Sequence, residues 1–364
     1  AKYLIGYGRV SGGLVFNTIR QRAECTTNIR LANLKESMKM RLKKITTVLM
    51  AAAMMAGVMT GGTATTVSAA DTYKVAFLPT DMSATFASWL ASELQTAFDQ
   101  YDDMELTVID SKNELETQIS SLETCVSQGY DYIILLPLEP AAEDDLVEGY
   151  INDGTPIMNI NLDDLAVEKA SSVIANPYDL GTVVAEEAKK NLPEDANVVV
   201  LLGPSGNTDS IERRRAYEDV LFSQNENITI LDEQIGDWEK SKGMEYMENW
   251  LQVYDDVDAV ISMNDAMAIG AYEAAKDAGV ADDIQFYGVD GLADAAVAIN
   301  DGEMNATALQ DAQVMAEEGA RIAHEVLTGE NKDGYEKVQI PVTLITKDNV
   351  SEFIDRYTEN GMLK

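Results

Sequence analysis

Short apolar runs alternate with longer amphipathic stretches from Tyr73 to the end of the chain. The runs are five or six residues long, which is typical of buried strands, and the stretches between them have helical spacing. Regular alternation of strand and helix predicts βαβ units and a parallel α/β sheet. Nine runs precede the last long helical stretch: KVAFL, MELTVI, YIILL, PIMNI, NVVVLL, TILDEQ, AVISM, IQFYGV and NATALQ.

Nine strands favour two smaller sheets over one continuous sheet, and a chain of 364 residues also favours two domains. A break is expected near residues 175–177, after the first four units and a short SSVI strand. The stretch DLGTVVAEEAKKNL then begins the second half.

Helix ends are marked by capping residues and glycines. Asp265 is expected to cap the N-terminus of AMAIGAYEAAKDA, which ends at Gly279. A second helix is expected from Glu114 to Gln128, ending at Gly129.

Polar side chains follow two neighbouring strands of the second half. Asn264 and Asp265 come after AVISM, and Asp290 ends IQFYGVD. The carboxyl ends of parallel strands form a crevice in which ligands bind. These residues therefore indicate a ligand pocket at this edge, and their polar chemistry suggests a carbohydrate.

The N-terminal region has the pattern of an export signal. Residues 39–44 are basic, residues 45–59 are apolar, and small residues follow at 67–70. The apolar segment has fifteen residues, fewer than the ~20 that span a bilayer. We interpret residues 38–70 as a cleaved signal peptide and residues 1–37 as a non-native or wrongly started extension.

Export predicts a location in the periplasm or on the extracellular face of the envelope. A lipid-anchored form would need a cysteine after the apolar stretch, where Gly62 stands. Without residues 1–70 the chain keeps one cysteine, Cys125, so no internal disulfide is expected.

The charge of the chain is strongly negative. The formal net charge is −35, and beyond residue 70 there are 17 Lys and Arg against 60 Asp and Glu. Such a surface repels nucleic acid and anionic membranes. A nucleic-acid partner is therefore not expected.

Common enzyme signatures are missing. The only histidine, His324, lies in a helical stretch away from strand ends, and the chain has no GxSxG motif and no Walker lysine in GPSGNTDS. Asp209 and Asp290 leave a glycoside-acting enzyme open as a lesser alternative. A transcriptional regulator would need a DNA-binding helix pair before Tyr73, where the export signal stands.

Three segments, VISMNDAMAIGAYEAAKDAG, YGVDGLADAAVAINDGEM and ITKDNVSEF, resemble periplasmic sugar-binding proteins of the ribose and galactose/glucose type, which serve ABC importers. The resemblance runs from about Tyr73 to Phe353. It implies the type I periplasmic binding protein fold, with two Rossmann-like parallel-sheet lobes and a hinge crossed three times. The lobes would be 72–174 plus 311–342 and 175–310 plus 343–364.

The resemblance also implies a set of sugar-binding residues. Aromatic rings would cover the two C–H faces of a pyranose, while carboxylates, amides and a guanidinium would bind its hydroxyls. Matching positions in this chain are Phe86, Asn161, Asn207, Asp209, Arg213, Trp238, Asn264, Asp290 and Gln310.

Each of these residues also has an ordinary structural interpretation. Phe86 and Trp238 are alternatively core aromatics, and Asp290, like Asn264 with Asp265, is alternatively a helix cap. Asp209 and Arg213 are alternatively an i,i+4 surface pair.

The chain departs from the family pattern at some positions. Ala84 stands where the galactose/glucose branch has an acid that binds a ring hydroxyl, and an Asp-Arg pair of ribose binders is absent near Asn161. The segment 190–197 is too short for a calcium loop. We expect neither a metal nor a cofactor.

The expected function is a monomeric receptor that encloses a monosaccharide, with a glucose- or galactose-like aldose preferred, and delivers it to an ABC transporter permease. The alternative is a sensor that presents its ligand to a chemoreceptor or a sensor kinase.

Overall fold

The structure is a computed structural model that describes residues 72–161 and 167–363. The predicted signal peptide and the upstream extension lie outside the described residues. Among the residues described, no helix is both long and apolar enough to cross a bilayer.

The first sheet has six parallel strands, in the order β11-β5-β4-β3-β1-β2. Its strands are β1 Tyr73–Leu78, β2 Met104–Val108, β3 Tyr132–Leu135, β4 Ile157–Asn161, β5 Ser171–Ile174 and β11 Lys337–Gln339.

The second sheet has six strands in the order β12-β10-β9-β8-β6-β7, and only the edge strand β12 is antiparallel to its neighbour. Its strands are β6 Asn197–Leu202, β7 Thr229–Ile235, β8 Ala259–Ser262, β9 Gln285–Asp290, β10 Ala306–Leu309 and β12 Thr343–Thr346.

Helices connect the strands of both sheets. They are α1 Thr85–Phe98, α2 Leu115–Ser127, α3 Pro140–Asn152, α4 Pro177–Asn191, α5 Thr208–Tyr217, α6 Lys240–Val253, α7 Asp265–Asp277, α8 Ala293–Asp301, α9 Ala312–Leu327 and α10 Val350–Glu359. A π-helical turn, Glu218–Phe222, extends α5, and a 3₁₀ turn, Ala281–Asp283, precedes β9.

The chain passes from one sheet to the other three times within the described residues: after β5, after β10, and between β11 and β12. The predicted fold class, two parallel α/β lobes with a three-crossing hinge, is therefore confirmed. The residue limits proposed for the two lobes remain predictions.

All nine predicted strands and the short SSVI strand are present, but β11 and β12 were not predicted. Both are edge strands of three or four residues with mostly exposed or half-buried side chains. Their hydrophobic pattern is too weak to indicate a strand without knowledge of the sheet edge that pairs with them.

One helix cap differs from the expectation. The N-cap of α7 is Asn264, whose side chain accepts a hydrogen bond from the amide of Met267, whereas Asp265 is the first helical residue. The Asp265 carboxylate instead accepts from the amide of Leu292 at 2.8 Å. The prediction of Asp265 as the cap was therefore wrong, because a second acceptor one residue earlier takes that role.

The central strands are buried on both faces, as expected for a sheet covered by helices on both sides. Every residue of β3 is buried, and so is every residue of β8. This core fixes the strand ends, where the loops that carry polar side chains begin.

Glu143 is a titratable side chain inside the otherwise largely apolar core of the first lobe. Its side chain is fully buried on α3, and the effect of burial on its pKa exceeds that of a backbone hydrogen bond at Glu139. Burial raises the pKa of Glu143 to about 7. A carboxyl in this position is favoured in its neutral form.

Glu143→Gln tests this assignment through the pH dependence of stability. With a raised folded-state pKa, the stabilisation of the neutral wild-type carboxyl is present at acidic pH and is lost as the pH rises to about 7. The variant should therefore match wild type near pH 4.5 and gain up to about 3 kcal/mol above pH 7.5. Chemical denaturation at several pH values measures this difference.

Glu148→Gln, at an exposed position of the same helix, is the matched control and should show little pH-dependent difference. A Glu143→Gln stability gain that does not change between pH 4.5 and 7.5 would contradict the raised pKa.

Candidate functional site

Nine polar or aromatic side chains, supplied by both sheets, surround one cavity. They are all nine residues that the resemblance to sugar-binding proteins implied. The complete lining is Thr80, Ala84, Thr85, Phe86, Ala87, Leu136, Pro137, Asn161, Asn207, Asp209, Arg213, Trp238, Asn264, Asp290 and Gln310.

Every wall of the cavity follows the carboxyl end of a strand. In the first lobe, Phe86 is the second residue of α1, which follows β1, and Asn161 ends β4. In the second lobe, Trp238 follows β7, and Asp290 ends β9. Parallel strand ends bring these residues together although they are far apart in sequence.

Arg213 forms the centre of the polar wall. Its side chain is only 2% exposed, and its guanidinium donates to the carbonyl of Met263 at 2.7 Å and to Oε1 of Gln310 at 2.7 Å. Asp290 lies 3.5 Å away. A planar guanidinium with several donors can hold all three groups at once.

Arg213 and Asp209 are not an exposed i,i+4 pair. Both are buried on α5. Asp209 accepts from Nδ2 of Asn161 at 3.1 Å. This bond joins the end of β4 in one lobe to α5 in the other, so it links the lobes across the cavity.

Two buried polar atoms of the cavity wall have no hydrogen-bond partner in the described part of the chain. They are Oδ1 of Asn161, an acceptor, and Nε of Arg213, a donor. Leaving such groups unsatisfied costs about 1–3 kcal/mol each. A ligand hydroxyl can both donate and accept, so hydroxylated ligands suit this pair of atoms.

The two aromatic residues are half-buried and line the cavity. The ring of Phe86 packs edge-on against Trp89, with 6.0 Å between centroids. The Trp238 ring lies against Gly203, where an added Cβ would come within 2.2 Å of the indole. The absence of a side chain at Gly203 thus allows the position of Trp238.

Three of the nine side chains sit on strained backbone. Asn161, Trp238 and Asp290 have φ values of +77°, +66° and +126°. Such conformations cost of order 1–3 kcal/mol at residues other than glycine and are concentrated at functional sites. Asp290 also does not cap the next helix, because the N-cap position of α8 is Leu292.

Two buried acids, Asp290 in the cavity wall and Asp265 near it, have raised pKa values. Burial raises the pKa of Asp290 to about 7, with Arg213 acting in the opposite direction. Burial and the nearby Asp290 carboxylate raise the pKa of Asp265 well above its ordinary value. Gly288 leaves room for the side chain of Asp265, because a Cβ at position 288 would lie 2.2 Å from Oδ1 of Asp265.

Sequence reasoning did not single out Thr80, Leu136 and Pro137, which also line the cavity. They follow β1 and β3, so the strand-end rule applied to every strand would have found them. Their side chains are neither charged nor aromatic, so the sequence gives no chemical signal that would mark them as site residues.

Within the two described ranges, 72–161 and 167–363, no group of three or more His, Cys, Asp or Glu side chains is arranged to hold a metal ion.

Comparison with known proteins shows the family. The periplasmic binding protein domain matches residues 75–331. The putative rhizopine-binding protein of Rhizobium meliloti is 31% identical over 274 residues, which cover 74% of this chain and 88% of that protein. The ribose import binding protein of Bacillus subtilis is 28% identical over 244 residues, covering 67% and 78% respectively.

A solved structure gives the same result. An ABC transporter solute-binding protein from Bacillus halodurans with bound myo-inositol superposes with a TM-score of 0.74 at 25% sequence identity. The match covers 80% of this chain and all of the other. The expectation of a binding protein in place of an enzyme is thereby confirmed. The protein belongs to the periplasmic binding protein family.

Proposed function

We propose that this protein is a receptor that encloses a neutral, monosaccharide-sized polyol between its two lobes and delivers it to an ABC transporter permease. The observation that carries the proposal is the cavity itself. Both lobes supply hydrogen-bonding groups to it, aromatic rings line it, and one donor and one acceptor of its wall lack partners.

The charges of the cavity favour a neutral ligand. Arg213 is the only Lys or Arg among the lining residues, and it already contacts Asp290 and Gln310. The Asp209 and Asp290 carboxylates would repel a phosphate or a carboxylate. Their oxygens accept hydrogen bonds from hydroxyl groups, which a sugar or cyclitol supplies on every side.

The relatives support this class of ligand but not one sugar. Those compared above are a ribose import binding protein, a putative rhizopine-binding protein and a solute-binding protein with bound myo-inositol. A glucose- or galactose-like aldose is our finer proposal. This pocket would differ from those of the galactose/glucose branch at Ala84, which stands where that branch has an acid that binds a ring hydroxyl.

Transport is proposed on the same grounds. The ribose-binding relative is an import binding protein, and the relative of known structure is the solute-binding protein of an ABC transporter. Ligand contacts to both lobes would favour the closed arrangement over the open one, which a permease can distinguish. We propose that the protein acts as a monomer after export, with the lobe limits given above, and a sensor output is the alternative.

Calorimetric titration with D-glucose, D-galactose, D-ribose and myo-inositol tests the ligand class. At least one should bind, and above pH 8, where Asp290 is mostly ionised, Asp290→Asn should weaken it by tenfold or more, because a buried charged acceptor is replaced by a neutral amide. Asp294→Asn, four residues along at an exposed site, should bind like wild type. Failure of a broad panel of sugars and cyclitols to bind would refute the proposal.

Asn161→Gly tests the contact between the lobes. Glycine tolerates the φ of +77° at this position, so the variant removes the Asn161–Asp209 bond without adding strain. If the hydrogen bond stabilises the closed arrangement by about 1 kcal/mol, its loss would lower the ratio of closed to open protein about fivefold. Small-angle X-ray scattering of the ligand-free protein should show a larger radius of gyration.

Asn300→Gly, at an exposed position of α8, provides the control for a change from Asn to Gly. An unchanged scattering curve for Asn161→Gly would contradict a role of this bond in lobe closure.

A further inference from the structure

A second, larger cavity adjoins the candidate ligand site. The inner cavity, around Arg213, has a volume of about 70 Å³, and the outer one has a volume of about 580 Å³. Thr80, Asn207 and Trp238 line both of them. The two cavities are therefore neighbours that share one wall.

The outer cavity also lies between the lobes. The first lobe supplies the start of α2 with Leu115 and the start of α3 with Ala142, and the second lobe supplies the loop at Ser205 that precedes α5. Its volume falls within the ~300–1,000 Å³ that is typical of small-molecule sites.

The lining of the outer cavity suits an uncharged, hydroxylated group. Apolar surface comes from Leu115, Leu138 and Pro204, and amide or hydroxyl groups come from Asn113 and Ser205. Two acids, Glu139 and Asp144, are present, and no Lys or Arg contributes to the wall. An anionic group such as a phosphate would therefore be repelled, whereas a sugar ring offers both C–H surface and hydroxyls.

Trp238 holds a fixed position in the shared wall. Its ring contacts the backbone at Gly203 on one side, and the guanidinium carbon of Arg213 lies 5.6 Å from the ring centroid. The Trp238 carbonyl accepts from Nδ2 of Asn264 at 3.3 Å. With two contacts to the ring and one to the backbone, Trp238 can serve as a stacking platform for a ligand that continues from the inner to the outer cavity.

We propose that the outer cavity is a second subsite, and that the ligand is a neutral glycoside whose first ring lies in the inner cavity and whose second ring or aglycone lies beside Trp238. This inference rests on the proposed function, because the first ring occupies the site described there. It adds a recognition site for a second unit, formed by α2, α3 and the loop before α5.

Titrations with matched one-ring and two-ring ligands test the second subsite. The pairs are D-glucose with cellobiose and maltose, D-galactose with lactose and melibiose, and myo-inositol with galactinol. For at least one pair, the two-ring ligand should bind with a dissociation constant no more than tenfold above that of its single ring.

Ala142→Trp and Ser205→Trp then place bulk in the outer cavity from opposite lobes, each at an exposed position. Either change should weaken the two-ring ligand at least tenfold and leave the single ring within about twofold. Ala278→Trp, at the exposed C-terminal end of α7, is the matched control and should alter neither affinity. Thermal unfolding of each variant verifies that the fold is intact.

Two results would overturn the second subsite while leaving the proposed function in place. One is that single rings bind but every two-ring ligand is more than tenfold weaker. The other is that both tryptophan variants affect one-ring and two-ring ligands equally. Absence of binding by every one-ring and two-ring ligand would instead refute the proposed function on which the inference rests.

Discussion

The buried guanidinium of Arg213 is the interaction on which the organisation of the site depends. It extends from α5 to the carbonyl after β8, to Asp290 at the end of β9 and to Gln310 after β10. Gln310 lies where the chain leaves the second sheet. One side chain thus joins three strand ends, the last of which lies at a hinge crossing.

Removing such a cation would leave Asp290 as a buried carboxylate without its compensating charge, which typically costs about 3–5 kcal/mol. Burial already raises the pKa of Asp290 to about 7, and that of Asp265 behind it also rises. The second lobe therefore presents a rigid, preorganised wall of donors and acceptors, to which the first lobe adds Phe86 and Asn161.

Much of this arrangement could be predicted from the sequence. Periodicity located every central strand, because strands buried on both faces leave a clear apolar signature. The edge strands β11 and β12 were missed since pairing with a sheet edge leaves almost no pattern in three or four residues. The nine site residues followed from family resemblance, and the structure places them around one cavity.

What the sequence could not indicate depends on distance and backbone conformation. The positive φ values of Asn161 and Trp238, the bond from Asn161 to Asp209 and the cavity beyond Trp238 have no local sequence signature. Uncharged lining residues such as Thr80 carry no chemical signal either. In the function we propose, these features set the size of the ligand that fits and the closure of the lobes over it.

A crystal structure of the protein with its tightest-binding carbohydrate would test the central claim most directly. We expect a sugar or cyclitol ring between Phe86 and Trp238, with hydroxyl oxygens about 3 Å from Nε of Arg213 and Oδ1 of Asn161. A ligand bound outside this cavity, or one that leaves both of these atoms without a hydrogen bond, would contradict it.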